Sequence, residues 1–288
     1  MEAVDRGFLR FLVSADNALP QGQWVAELTP ELLSWLGSAD AELRDEFAYP
    51  ILAAWIERGE YPPEELRAMA RRMVDNLQVG LGEDGADSVF LRTFSALILM
   101  EIVSRDNAEP FLDEDEVLAL LDHGLSYLRR ERDLRGYVQD QGWAHAVAHT
   151  ADLLMMLARS RHIDTPELER LLDAVADKLL EPVETVYLYQ EDERLAYAAL
   201  TVLRRGLVGG DFLAAWLARF VRPPGYEAWR PVYTDPALSA ARVNATGFLR
   251  SLYFQLLLTA APPAGRAETL DVLLATLREM DIGFYELG

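Results

Sequence analysis

The feature that most constrains the fold of this chain is a helical hairpin that recurs about every fifty residues. Apolar residues follow a helical period in successive pairs of segments. A single hairpin cannot bury its apolar face alone, so each one has to stack against its neighbours. The repeat therefore predicts an all-α solenoid of the HEAT or armadillo kind, with about five hairpins. The first helices of these pairs are expected to begin near residues 42, 88, 142, 191 and 240.

The predicted hairpins occupy residues 40–288, and residues 1–39 are predicted to form an N-terminal cap. Two short helices are expected in this cap, within the segments "DRGFLRFLVSA" and "TPELLSWLG". The best strand candidate in the chain is "VETVYLY", which is short and isolated. The chain is therefore expected to form one all-α helical-repeat domain over residues 1–288.

The charge balance bears on the class of partner. Phosphate groups of nucleic acids and anionic lipids are bound mainly by Lys and Arg. The chain has 27 of these residues against 47 Asp and Glu, which gives a formal net charge of -20. We therefore expect no nucleic-acid partner and no membrane partner, whereas a basic partner is compatible with this charge.

Several site classes and locations are excluded by composition and motif. The chain has no cysteine, which rules out disulfides, thiolate nucleophiles and cysteine-ligated zinc. Its apolar runs are shorter than the ~20 residues of a membrane-spanning helix, and its N-terminal segment lacks the pattern of a signal peptide. A cytoplasmic location is therefore expected. Gly80, Gly82 and Gly85 have dinucleotide-loop spacing, but no strand precedes them, so no cofactor is predicted.

The linkers between consecutive hairpins are longer and richer in aromatic residues than the linkers within them. In a stack of two-helix repeats these linkers emerge on one edge, and insertions there often mark the binding side. Aromatic and arginine side chains on loops are common in binding surfaces, and they also pin long loops onto helix ends. The residues concerned are Tyr137, Tyr187, Tyr189, Tyr226, Trp229, Tyr233, Arg132, Arg135, Arg222 and Arg230.

Two of the four histidines lie one helical turn apart in "GWAHAVAHTADLLMML". In a helix, His145, His149 and Asp152 would share one face, and Trp143 would belong to an apolar stripe nearly opposite. Such a face can bind a metal, act in acid–base chemistry or only make packing hydrogen bonds. Ala146 takes the place of the glutamate in the zinc motif H-E-x-x-H, and no third ligand is evident, so no metal site is predicted.

Other first helices carry polar residues near their starts. If the hairpins stack in register, these side chains and the histidines come together along one edge and can line a groove. Salt bridges between repeats use the same residue types, because a buried charge has to find a partner. The residues are Asp45, Glu46, Arg92, Glu193, Arg194, Asn244 and Arg250.

Three segments resemble an uncharacterised bacterial family, domain of unknown function 2785. They are "RDEFAYPILAAWI", "DLRGYVQDQGWAHAVAHTADLL" and "EDERLAYA". The resemblance extends over most of the chain from about residue 40 onward, and it implies a bacterial helical-repeat protein without an established reaction. The matching residues in its most specific stretch are Asp133, Arg135, Gly136, Trp143, His145, His149 and Asp152.

Two functions are compatible with these features. A helical repeat without a known catalytic motif favours a noncatalytic scaffold that binds a protein, a peptide or a small ligand along the edge formed by the inter-repeat loops. The alternative is an enzyme, for example a hydrolase with or without a metal, that uses His145, His149 and Asp152. The residues predicted to form the binding surface are Asp133, Arg135, Tyr137, Trp143, Tyr187, Tyr189, Glu193, Arg194, Trp229, Asn244 and Arg250.

Overall fold

The computed structural model describes residues 5–19, 25–222, 224–226, 229, 232 and 234–281. Over these ranges the chain is mostly helical, with one short two-stranded ribbon, which confirms the predicted all-α class. No helix in this part of the chain combines the length and the apolar character that crossing a bilayer requires.

Helices α1 (Arg6–Ser14) and α2 (Val25–Trp35) come first, and a π-helical segment, Glu42–Ala48, then leads directly into α3. The antiparallel ribbon pairs β1 (Tyr137–Val138) with β2 (Gly142–Trp143), between α6 and α7. The ten helices after the π-helical segment follow as pairs: α3 (Tyr49–Arg58) and α4 (Pro63–Asn76), α5 (Ser88–Ala108) and α6 (Glu114–Arg130), α7 (Ala146–Ala158) and α8 (Thr165–Leu180), α9 (Glu191–Arg205) and α10 (Gly210–Val221), α11 (Pro236–Leu258) and α12 (Arg266–Met280).

Local chemistry sets several helix boundaries. Asp113 and Glu116 form a reciprocal capping box at the start of α6, and Asp164 and Glu167 do the same at the start of α8. Each box satisfies two backbone N–H groups that have no partner inside the helix. Gly59 ends α3 with a left-handed φ of 75°, a conformation that glycine adopts without steric cost.

The helices pack in two layers. In the first layer α3 contacts α5, α5 contacts α7, α7 contacts α9 and α9 contacts α11. In the second layer α6 contacts α8, α8 contacts α10, and α10 contacts α12. Helices α1 and α2 pack against α3 and the π-helical segment. The first layer brings the N-terminal turns of α5, α7 and α9 side by side, which is where the candidate site lies.

Two predicted helix starts are wrong in detail. The helix expected from about residue 240 begins at Pro236, where the Asp235 side chain caps it. The helix expected from about residue 142 begins at Ala146, because Gly142 and Trp143 pair with β1 instead. Trp143 is therefore exposed on the ribbon and does not belong to an apolar stripe of the helix. The segment "VETVYLY", residues 183–189, is irregular and is not a strand.

Candidate functional site

Two loops meet beside the N-terminal ends of α7 and α9. One is the ribbon loop, residues 131–145, and the other is the α8–α9 loop, residues 181–190. Between them lies an open cavity of about 550 Å³, which we call the rim cavity. Its lining residues are Trp143, His145, His149, Leu188, Tyr189, Gln190 and Arg194.

A buried ion pair fixes the start of the ribbon loop. Arg92 on α5 has no exposed surface, and its Nε and Nη2 donate to the two carboxylate oxygens of Glu131 at 2.6 and 3.0 Å. Lys178 on α8 donates from Nζ to the backbone carbonyl of Glu131 at 2.8 Å. Burial lowers the pKa of Lys178 to about 8. Helices α5 and α8 thus hold the same residue from two sides.

Asp133 and Arg135 fasten the middle of the loop rather than face the cavity. The fully buried Asp133 carboxylate accepts hydrogen bonds from the Arg135 guanidinium, the closest at 2.6 Å, and from the backbone N–H of Gly85 at 3.1 Å. Arg135 also donates from Nη2 to the Ala86 carbonyl at 3.0 Å. These two predicted binding residues therefore tie the ribbon loop to the chain before α5.

The π-helical segment fixes the end of the ribbon loop. Arg44 is fully buried and donates from Nη2 to the Gln141 carbonyl at 2.5 Å, and Asp45 accepts a 3.2 Å hydrogen bond from the Trp143 backbone N–H. Gly142 sits between them with a left-handed φ of 80°, and a Cβ there would collide with the Asp45 carboxylate. Segments of this helical type are frequent at functional sites.

Aromatic rings assemble on this fixed loop. Trp143 makes edge contacts with Tyr137 at 5.2 Å and 78°, and with Tyr189 at 5.6 Å and 85°, between ring centroids and planes. His145 stacks on Trp143 at 4.8 Å, and its ring meets that of His149 at 5.4 Å. We call these five residues the ring cluster. Tyr137, Trp143 and Tyr189 keep 47%, 37% and 39% of their surface exposed, so the cluster presents aromatic rings to solvent.

His145 ties the two loops together and has a defined tautomer. Its Nε2 lies 2.8 Å from the Tyr189 carbonyl oxygen, which can only accept, so Nε2 carries the proton. Glu191 lies behind this contact, with Oε1 3.6 Å from His145 Nε2 and Oε2 accepting a 2.8 Å hydrogen bond from the Tyr189 N–H. Burial lowers the pKa of His145 in spite of the Glu191 carboxylate. The neutral ring keeps a lone pair on Nδ1, for which no partner lies in the described ranges.

His149 is more deeply buried and lies at the base of the cavity. Its Nδ1 is 2.8 Å from Thr93 Oγ1 on α5, and its ring packs edge-on against Phe94 at 5.3 Å. Burial holds the pKa of His149 well below its usual value, and His145 and Arg194 act in the same direction. At neutral pH both histidines are therefore uncharged.

Asp152 does not orient either imidazole. Arg194 on α9 donates from Nη1 to both carboxylate oxygens of Asp152, at 2.9 and 2.7 Å. Burial raises the pKa of Asp152, and the Arg194 charge opposes this. The structure thus brings His145 and His149 together but directs Asp152 to Arg194. Within the ranges that the structure describes, no group of three or more His, Asp or Glu side chains could hold a metal ion.

Both loops end in a strained residue. His145 and Gln190 directly precede α7 and α9 with φ values of 56° and 70°, in the left-handed region that residues other than glycine rarely adopt. Such conformations cost of order 1–3 kcal/mol and persist where surrounding contacts hold them, frequently at functional sites.

Asn244, another predicted binding residue, holds the α8–α9 loop. Asn244 on α11 accepts a hydrogen bond from the Tyr187 backbone N–H at 2.8 Å and donates to the Thr185 carbonyl at 3.0 Å. Trp229 is buried elsewhere, with Nε1 donating to the Phe220 carbonyl at 2.7 Å. The predicted residues Tyr187 and Asn244 thus support the α8–α9 loop, whereas Trp229 is attached to α10.

The remaining predicted residues lie outside the rim cavity. Glu193 and Arg250 line a second cavity of about 480 Å³ between α9 and α11. Tyr233 and Arg230 lie outside the described residues.

Sequence reasoning missed several residues at the site. Leu188 and Gln190 line the cavity and belong to the same linker as Tyr189, so the linker signal could have included them. Thr93 and Glu191 support the two imidazoles, but each depends on how neighbouring helices align, which no local pattern reveals.

The comparisons with known proteins identify the family. The family model described as "Protein of unknown function (DUF2785)" matches residues 77–254, which is more than half of the chain, and the chain belongs to this family. The match confirms the resemblance seen in the sequence, although it begins at residue 77 and leaves out the π-helical segment and α3. All residues lining the rim cavity lie inside the matched range. No curated protein and no solved structure matches the chain significantly.

Burial of the histidines predicts a loss of stability in mild acid. The pKa of folded His149 lies well below the 6.5 of an exposed imidazole, so between these values the unfolded state binds more protons and stability falls as the pH decreases. His145 acts with the same sign. In His149→Asn, the free energy of unfolding from urea titration should fall less between about pH 7.5 and 5.5 than in the parent. Equal losses in the two proteins would contradict this.

Because other atoms lie close to the Cα of Gly142, we expect Gly142→Ala to lower the free energy of unfolding more than a typical Gly→Ala substitution. The new methyl group would meet Asp45 in addition to the left-handed strain, so we expect a loss of about 2–4 kcal/mol in the free energy of unfolding. Gly206→Ala is the matched control, because Gly206 also has a left-handed φ, 65°, but open space around it. It should lose only about 1 kcal/mol. Equal losses in chemical denaturation would show that Asp45 does not crowd this turn.

Proposed function

We propose that this member of the DUF2785 family is a noncatalytic binding protein whose rim cavity receives a small ligand or a side chain of a bound peptide or protein. In this proposal the stacked helical pairs form a HEAT-like solenoid in a single domain, residues 1–288, with residues 1–39 as its cap. The layered contacts α3–α5–α7–α9–α11 and α6–α8–α10–α12 support this arrangement. The scaffold is cytoplasmic and supplies a rigid frame for the loops.

The observation that carries the proposal is an exposed ring cluster on loops that buried hydrogen bonds attach to the helices. Tyr137, Trp143 and Tyr189 stay partly exposed although the loops that bear them are fixed by buried charges. Clustered exposed aromatic side chains mark interaction sites more often than isolated ones do. A rigid loop also loses little conformational entropy on binding, so more of the contact energy appears as affinity.

The cavity has the size and chemistry of a ligand site. Its volume of about 550 Å³ suits a small organic molecule or one large side chain. Aromatic rings form one part of the wall, and Gln190, Arg194 and the two imidazoles supply hydrogen-bonding groups. Such a combination of apolar rings with a few polar groups gives both contact area and orientation.

A fragment screen tests this function. We expect that small polar and aromatic fragments screened by protein-observed NMR will shift the indole N–H of Trp143. In calorimetric titrations, Trp143→Ala and Tyr189→Ala should each weaken the affinity of the hits about tenfold or more, because they remove the stacking surface. Tyr197→Ala is the control, since this exposed tyrosine lines the second cavity instead. Hits that map only to other surfaces, or an absence of hits at Trp143, would contradict the proposal.

An acid–base role for His145 is the second candidate. The Tyr189 carbonyl and Glu191 fix the proton on Nε2, which leaves Nδ1 as a base beside the cavity. If the protein is a hydrolase, His145→Gln should lower turnover of an ester or amide substrate by about 100-fold or more while fragment binding persists. His123→Gln, on α6, should leave turnover unchanged. Turnover that survives His145→Gln would remove this candidate.

A further inference from the structure

The charges around the rim cavity do not balance. His145 and His149 are uncharged at neutral pH, because burial lowers the pKa of each. Arg194 holds both carboxylate oxygens of Asp152 with one nitrogen, so this pair carries no net charge. Glu191 is buried, and in the described part of the chain no arginine or lysine forms an ion pair with it. An acidic group without a cationic partner thus lies directly behind the cavity wall.

The rings of the wall reinforce this asymmetry. Trp143 and Tyr189 both line the cavity, and their ring planes meet at 85°. The face of an aromatic ring carries partial negative charge and attracts a cation placed over it within about 6 Å. His145 stacks on Trp143, so the ring surface left for a cation is the exposed part of Trp143 and Tyr189.

We infer that the rim cavity binds an organic cation, an alkylated ammonium group that packs against Tyr189 and Trp143 and is attracted by the Glu191 carboxylate behind them. This inference rests on the proposed function and names the chemical class of its ligand. The ammonium group is carried by a free small molecule or by a lysine-derived side chain. The overall net charge of -20 also favours the approach of a cation.

Other ligand classes fit these observations less well. An anion would face Glu191, and the one arginine of the wall is already engaged by Asp152. A metal ion would need a set of ligands that the described ranges do not bring together. A purely apolar ligand would gain nothing from the Glu191 carboxylate, and it would cover the Nδ1 lone pair of His145 without giving it a hydrogen-bond partner.

The test compares choline with 3,3-dimethylbutan-1-ol, which has nearly the same shape but no charge. Both are titrated into the full chain at neutral pH, with the indole N–H of Trp143 as the NMR reporter. We expect choline to bind about tenfold or more tightly than the alcohol. Trp143→Ala, titrated with the backbone N–H of Tyr189 as the reporter, should abolish the difference. Raising the salt concentration should weaken choline binding and leave the alcohol unchanged.

Charge variants isolate the role of Glu191. Glu191→Gln keeps an oxygen that can accept from the Tyr189 N–H but removes the charge, so choline affinity should fall about threefold to tenfold. Glu193→Gln is the matched control, because it removes the same charge from an exposed position on the same helix and should have little effect. If Glu191→Gln unfolds the chain, the comparison of choline with its neutral analogue still decides the question.

A further comparison distinguishes a free small molecule from a lysine-derived side chain as the source of the ammonium group. Choline is compared with a short peptide that carries one trimethyllysine, and with the same peptide carrying unmodified lysine. Tighter binding of the methylated peptide than of choline identifies a peptide partner, and the reverse identifies a small molecule; both support a cation site.

The outcomes distinguish this inference from the proposed function. Equal affinity for choline and the neutral alcohol, or an unchanged affinity in Glu191→Gln, would overturn the cation site while leaving a binding cavity. No response to choline together with fragment hits at Trp143 would also overturn it. No response to any ligand at Trp143 would overturn the proposed function as well.

Discussion

Buried charge that has to be paired is the constraint on which the rest of this structure depends. Arg92 has no contact with solvent, and the bidentate contact with Glu131 supplies the opposite charge that its burial requires. Its Nη1 also donates to the Val79 and Gly80 carbonyls and to Ser88 Oγ. Removing one member of such a pair typically costs about 3–5 kcal/mol, because the other charge is left uncompensated. The pair therefore fixes where the ribbon loop leaves α6, and it does so from α5, the first helix of the same hairpin.

A second buried arginine, Arg44, fixes the other end of the ribbon loop in the same way. Arg44 lies over the ring of Phe90 at 4.0 Å and reaches the Gln141 carbonyl, and its neighbour Asp45 holds the Trp143 N–H. Between these anchors the loop cannot bury its aromatic side chains in the core, so they assemble on one another at the surface. His145 then joins this assembly to the α8–α9 loop through the Tyr189 carbonyl. A rigid, partly exposed ring cluster is the physical consequence.

Much of this architecture could be predicted from the sequence, because helical periodicity and capping residues are local. The starts of α5 at Ser88 and α9 at Glu191 agree with the predicted positions. The start of α7 does not, because extending the helical period back to Trp143 ignores the left-handed Gly142 and the pairing with β1. A periodic pattern describes side chains along one helix and cannot detect a competing backbone contact.

The candidate site was less predictable, because its contacts join different hairpins. The helical spacing places His145, His149 and Asp152 on one face. The two histidines do lie together, but Asp152 pairs with Arg194 from the next hairpin. Glu191 was not singled out, although it supports His145. These partnerships depend on the offset between stacked helices, which is set by core packing over the whole layer. Residue types near the helix starts indicate where a polar edge lies, but they do not indicate which charged side chains pair with one another there.

One hydrogen bond, from His145 Nε2 to the Tyr189 carbonyl, joins the two loops around the cavity. A long-range proton–nitrogen NMR spectrum of the imidazole rings at neutral pH tests it most directly, because it reports which nitrogen carries the proton. The structure predicts a neutral His145 ring with its proton on Nε2. A proton on Nδ1, or a charged ring, would contradict the claim.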